Sequence, residues 1–76
     1  MIVFHKLWQT MKAKGISTYA LREDYNIESR TIRRLRANQN VTTNTLDKLC
    51  RILDCELDQI AEYIADEESD GFTESF

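Results

Sequence analysis

The chain has no proline, two glycines, two cysteines and one histidine among its 76 residues. Without proline, helices must end on caps and on residues that tolerate left-handed backbone. Cys50 and Cys55 are too few for a disulfide scaffold or a four-ligand zinc site. His5 alone supplies no Ser/His/Asp or Cys/His set, and Gly15 and Gly71 build no glycine-rich phosphate loop. Catalysis, a cofactor and a metal are therefore not expected. No apolar run reaches the ~18 residues of a membrane span. Met1 to Val3 is also too short to head a secretory signal, because His5 and Lys6 follow at once. The expectation is a reduced, cytoplasmic chain with no membrane role.

What is present reads as one small helical domain. The composition is 42% hydrophobic and 30% charged, too apolar for a disordered chain. A chain of this size buries about 60–65% of its unfolded surface, so helix packing must carry its stability. Phe4, Leu7, Trp8 and Met11 recur at i, i+3, i+4 and i+7, and predict a first helix from about His5 to Lys14 stopped by Gly15. Met1 to Phe4 reads as an extended lead-in. Ser17 caps a short second helix buried through Leu21 and Tyr25, and Asn26 ends it. A third helix runs from Glu28 or Ser29 to about Ala37, followed by the polar loop Asn38, Gln39 and Asn40.

Thr42 or Thr43 caps a fourth helix with the stripe Leu46, Leu49, Cys50 and Leu53. Leu57, Ile60, Ala61 and Ile64 repeat that spacing and predict a fifth helix. Trp8 and Tyr63 fit these stripes or their edges as packing residues. Cys50 packs in its stripe, and on a continuous helix Cys55 would point about 140° away from it. No internal repeat and no convincing strand alternation is visible. Residues 1–65 thus form the domain, and 66–76 read as an acidic, disordered tail.

The net charge of −3 conceals a division. Residues 1–53 hold all ten basic side chains against Glu23, Asp24, Glu28 and Asp47, a net of +6. Residues 54–76 hold nine acids and no base, a net of −9. The positive charge is densest at Arg30, Arg33, Arg34 and Arg36. At about 100° per residue, Ser29, Arg30, Arg33 and Arg34 share one arc of the third helix, with Arg36 just outside it. Thr31, Ile32 and Leu35 lie opposite, so the helix packs on one side and presents arginines on the other. Arginines that merely solvate a helix usually have acids three or four residues away. Here only Glu28 lies within reach of the cluster. Such a helix fits the major groove of B-DNA, where a guanidinium can bond guanine O6 and N7 together.

The stretch Ser17 to Leu35, STYALREDYNIESRTIRRL, resembles the helix-turn-helix of phage-repressor-type regulators, the Cro-like or Xre family. Thr18 stands at the polar first position. Leu21, Tyr25, Ile27, Ile32 and Leu35 stand at apolar positions, and Asn26 replaces the usual turn glycine. NVTTNTLDKLCRILDCELDQIAEYI resembles the later helices of small members, so the likeness covers about residues 5–65. Two positions depart from the pattern: Arg22 occupies a site usually held by a small residue, and Thr18 one often held by glutamine.

The resemblance implies an all-α, five-helix bundle of the lambda-repressor-like type, with the helix-turn-helix at helices 2 and 3. It implies a bacterial or phage-encoded DNA-binding regulator, repressor-like, acting as a homodimer on a two-fold operator. Its base-reading positions fall on Glu28, Ser29, Arg30, Arg33 and Arg34. Its phosphate-gripping positions fall on Thr18, Asn38, Gln39, Asn40, Thr42 and Thr43. The other reading is a protein-interaction module, antitoxin-like or an adaptor, with a protein partner held through the acidic tail.

Overall fold

The structure is a computed structural model and describes residues 1–65. The first four apolar stripes become helices: α1 His5–Lys14, α2 Thr18–Glu23, α3 Ser29–Arg36 and α4 Thr43–Leu53. Their starts are capped as the sequence predicts in two cases. Ser17 Oγ accepts from the Ala20 N–H at 3.1 Å, and Thr42 Oγ1 accepts from the Thr45 N–H at 3.2 Å.

The helix ends show how a chain without proline stops. Gly15, Asn26, Asn38 and Asp54 all take positive φ, at 71°, 59°, 56° and 51°. Beyond three of these turns the next N–H reaches back to close the last helical turn. Ile16 bonds the Met11 carbonyl at 2.9 Å, Gln39 that of Arg34 at 2.8 Å, and Cys55 that of Cys50 at 3.1 Å. Each closure satisfies a carbonyl that the helix end would leave without a partner.

The core lies where the four helices meet. Leu7, Leu21, Leu35, Leu49, Leu53 and Ile60 are fully buried, joined by Phe4, Met11, Ile27 and Ile32. Each fully buried leucine or isoleucine contributes about 1.5–3 kcal/mol relative to an exposed one. Among the described residues no helix is long and apolar enough to cross a membrane.

The expected fifth helix does not form over residues 57–64, so the described residues hold four α-helices rather than five. Leu57–Gln59 make a single 3-10 turn, with the Glu56 N–H bonding Gln59 Oε1 at 2.9 Å and Thr10 donating to the Gln59 carbonyl at 2.6 Å. The chain then extends into a strand. Ile2–Val3 (β1) and Glu62–Tyr63 (β2) pair antiparallel, with Ile2 opposite Tyr63 and Val3 opposite Glu62. The Met1 amino group donates to the Ile64 carbonyl at 2.9 Å, and the Ile64 N–H to the Met1 carbonyl at 2.8 Å. Of the supposed stripe only Ile60 is buried; Leu57 and Ile64 are 54% and 44% exposed. Tyr63 is exposed as well.

Two smaller expectations are also corrected. Tyr25 is not on a buried helix face: α2 ends at Glu23, and Tyr25 in the following turn is exposed. Cys55 does not point away from Cys50, because α4 stops at Leu53 and left-handed Asp54 folds the chain back. Both thiols are free and half-buried. Burial, and then the neighbouring Cys55, push the Cys50 thiol above its ordinary pKa of 9.0. The acidic tail expected at 66–76 lies outside the described residues.

Candidate nucleic-acid interface

Three buried residues orient the α2–turn–α3 unit. Leu21 comes from α2, Ile32 and Leu35 from α3, and all face the core. Between the helices, left-handed Asn26 turns the chain so that the Ile27 N–H meets the Leu21 carbonyl at 2.9 Å and Ile27 is buried. With Ile32 and Leu35 turned inward, Ser29, Arg30, Arg33, Arg34 and Arg36 are all exposed.

The crowding of arginines has a local physical basis. Arg33, Arg34 and Arg36 sit in the last turn of α3, where the carbonyl end of the helix dipole favours cations. Arg30 Nη2 lies 3.3 Å from Glu28 Oε2, with the two side chains 62% and 68% exposed, so the pair is solvated and weak. Glu28 precedes the helix in extended conformation, and its carboxylate makes no cap. Arg33 and Arg34 form no ion pair among the described residues. The Arg36 guanidinium lies 5.0 Å from the centroid of the Trp8 ring on α1, a cation–π contact.

Two clefts flank α3. On the side toward α4, Glu28, Arg30, Thr31 and Arg34 face Thr42 and Thr45. On the side toward α2, Ser29 and Arg33 face Thr18 and Arg22, with Arg36 at the far end. The structure therefore brings Thr18 and Thr42 to the arginine helix, and it divides the expected base-reading residues between two flanks.

Asn38, Gln39 and Asn40 line a different depression, beside Met1, Ile2 and Phe4. Asn38 Oδ1 accepts from the Phe4 N–H at 2.8 Å, so that side chain braces the fold. Thr43 lines neither arginine cleft and instead lies with Leu46, Asp47, Cys50 and Leu57.

Arg22, Arg36 and Thr45 were not among the expected site residues. Arg22 stood out only as a misfit at the helix crossing, and Arg36 as just off the arginine arc. Neither the Trp8 contact nor the cleft beside α2 has a signal in local spacing.

The chain matches the Cro/C1-type HTH DNA-binding domain over residues 6–66. It belongs to that family. The crystal structure of transcriptional regulator VanUg, Form II, is similar, with a TM-score of 0.77 and 26% identity over 86% of this chain and 87% of that one. No curated protein matches the chain. The family is one of DNA-binding transcription regulators, generally not enzymes. In this Cro/C1-type domain the clefts described above border α3, the second helix of the α2–turn–α3 unit.

Proposed function

We propose that this Cro/C1-type domain binds double-stranded DNA sequence-specifically as a cytoplasmic, repressor-like transcription regulator, with α3 laid in the major groove. One observation carries the reading: α3 turns an arginine face outward, with Glu28 its one ionic partner among the described residues. Major-groove edges of guanine offer the paired acceptors that a guanidinium fork fits. Glu28, Ser29, Arg30 and Arg34 contact bases, Arg33 touches base or backbone, and Arg30 and Arg34 read sequence. Thr18, Gln39, Asn40, Thr42 and Thr43 contact phosphates, and Asn38 joins them through its side-chain Nδ2.

A single domain of this kind buries only about 600–1,000 Å² on DNA, so useful specificity calls for a homodimer on a two-fold operator. The charge division favours a second reading, a protein-interaction module. The acidic tail, residues 66–76 at the end of the segment of net charge −9, would hold a protein partner.

Selection of bound sites from a random duplex pool, beside an Arg30→Ala/Arg34→Ala double variant, tests the first reading. A motif that the variant loses supports it, and half-site spacing reports the dimer. No enrichment at moderate salt overturns it in favour of the protein partner. If the tail competes for α3, deleting residues 66–76 tightens DNA binding at low salt.

A further inference from the structure

The cleft between α2 and α3 has a composition unlike the cleft on the other side of α3. Its lining is Thr18, Arg22, Ser29, Ile32, Arg33 and Arg36: three guanidinium groups, two hydroxyls and a buried isoleucine, with no acid. The opposite cleft contains Glu28, already paired with Arg30. Three cations around one depression repel each other, and none of the three has an ionic partner among the described residues.

Two of them are instead held by aromatic rings. The Arg36 guanidinium lies 5.0 Å from the Trp8 centroid, and that of Arg22 lies 5.8 Å from the Tyr19 centroid. A ring face restrains a guanidinium while leaving its N–H edge to bond something else. The hydroxyls of Thr18 and Ser29 add donors that suit a tetrahedral anion.

We infer that this cleft is an anchor for the DNA backbone, in which Arg22 and Arg36, with Arg33 between them, grip a phosphodiester beside the groove occupied by α3. The inference rests on the DNA-binding reading above and divides its labour. Arg22 and Arg36 hold the duplex in register without reading it, while Arg30 and Arg34 on the other flank read bases. Backbone contacts fix orientation and carry no sequence information, whereas base contacts specify. Arg22 therefore has a use at the helix crossing that a small residue could not supply.

The test measures affinity of the whole chain for a mixed-sequence DNA duplex across a salt series, for the wild type, Arg22→Gln, Arg36→Gln and Arg22→Lys. A phosphate contact contributes about 0.9 to the slope of log K against log salt. Arg22→Gln and Arg36→Gln are each expected to flatten the slope by about that amount and to weaken low-salt binding about tenfold. Arg22→Lys restores most of the slope, because a point charge still attracts a phosphate. Sites selected from a random pool keep the same motif in both glutamine variants. An unchanged slope, or a changed motif, overturns the anchor while leaving DNA binding intact. A wild type that binds no duplex at any salt overturns the DNA-binding reading itself and the anchor with it. Trp8→Leu gives a second check: it leaves the charge of Arg36 in place, and the anchor requires a weaker affinity with little change of slope.

Discussion

Asn38 ties the end of α3 to the start of α1: its Oδ1 accepts the Phe4 N–H at 2.8 Å across 34 residues of chain. The same residue holds the left-handed turn that ends α3, with φ at 56°. Phe4 is buried, so its amide has little access to water if that acceptor is lost. Asn38→Gly keeps the turn and removes the acceptor, and should cost about 1–2 kcal/mol. Asn38→Ala adds the strain of a Cβ at positive φ, about 1 kcal/mol more. Asn38→Asp retains an acceptor and should fall closest to wild type. Urea denaturation of the three variants checks the order.

Asp54 also stands at positive φ, and its carboxylate sits at the negative end of α4. Both features oppose it, so Asp54→Gly should raise stability by about 0.5–1 kcal/mol. Gly15→Ala makes the converse change at the end of α1. Nothing lies within 4 Å of the added Cβ, so the loss of about 1 kcal/mol is purely conformational. Equal and small effects of both substitutions would contradict the left-handed assignment.

Glu28 and Arg30 form an exposed pair, so Glu28→Gln should leave stability within about 0.5 kcal/mol of wild type. The DNA readout should move instead. Removing the carboxylate frees Arg30 and raises low-salt affinity for mixed-sequence DNA severalfold, since the one acid beside the arginine face among the described residues is gone. Arg30→Ala and Arg34→Ala should each relax base preference by about 1–3 kcal/mol at a defined position of the selected site.

Cys50 should be a slow thiol. Burial and the neighbouring Cys55 both disfavour its thiolate, so its alkylation should reach half its maximal rate above the ordinary thiol midpoint of 9.0. Cys55→Ser removes one cause and should shift the rate profile of Cys50 toward lower pH, but leave it above 9.0, because burial is the larger cause. Mass-resolved alkylation against pH reads both shifts.

The four helices were legible because the information that makes them is local. Stripes such as Leu46, Leu49, Cys50 and Leu53 share a face through helical geometry alone, and Ser17, Thr42 and Asn26 act on atoms within a few residues. The arginine face of α3 followed from the same arithmetic.

Tertiary structure decided what depends on groups far apart in the chain. Leu57 to Ile64 have helical spacing, yet the edge of Ile2–Val3 offers Glu62 and Tyr63 a strand partner from the opposite end of the molecule. Cys50 and Cys55 face one another because Asp54 reverses the backbone, and Arg36 is held because Trp8 arrives from another helix. The spacing of residues along the chain thus determined the helices and their charged face, since both rest on contacts within a turn or two. The strand pair in place of a fifth helix at residues 57–64 and the two clefts beside α3 were set by packing, which joins groups that no local pattern relates.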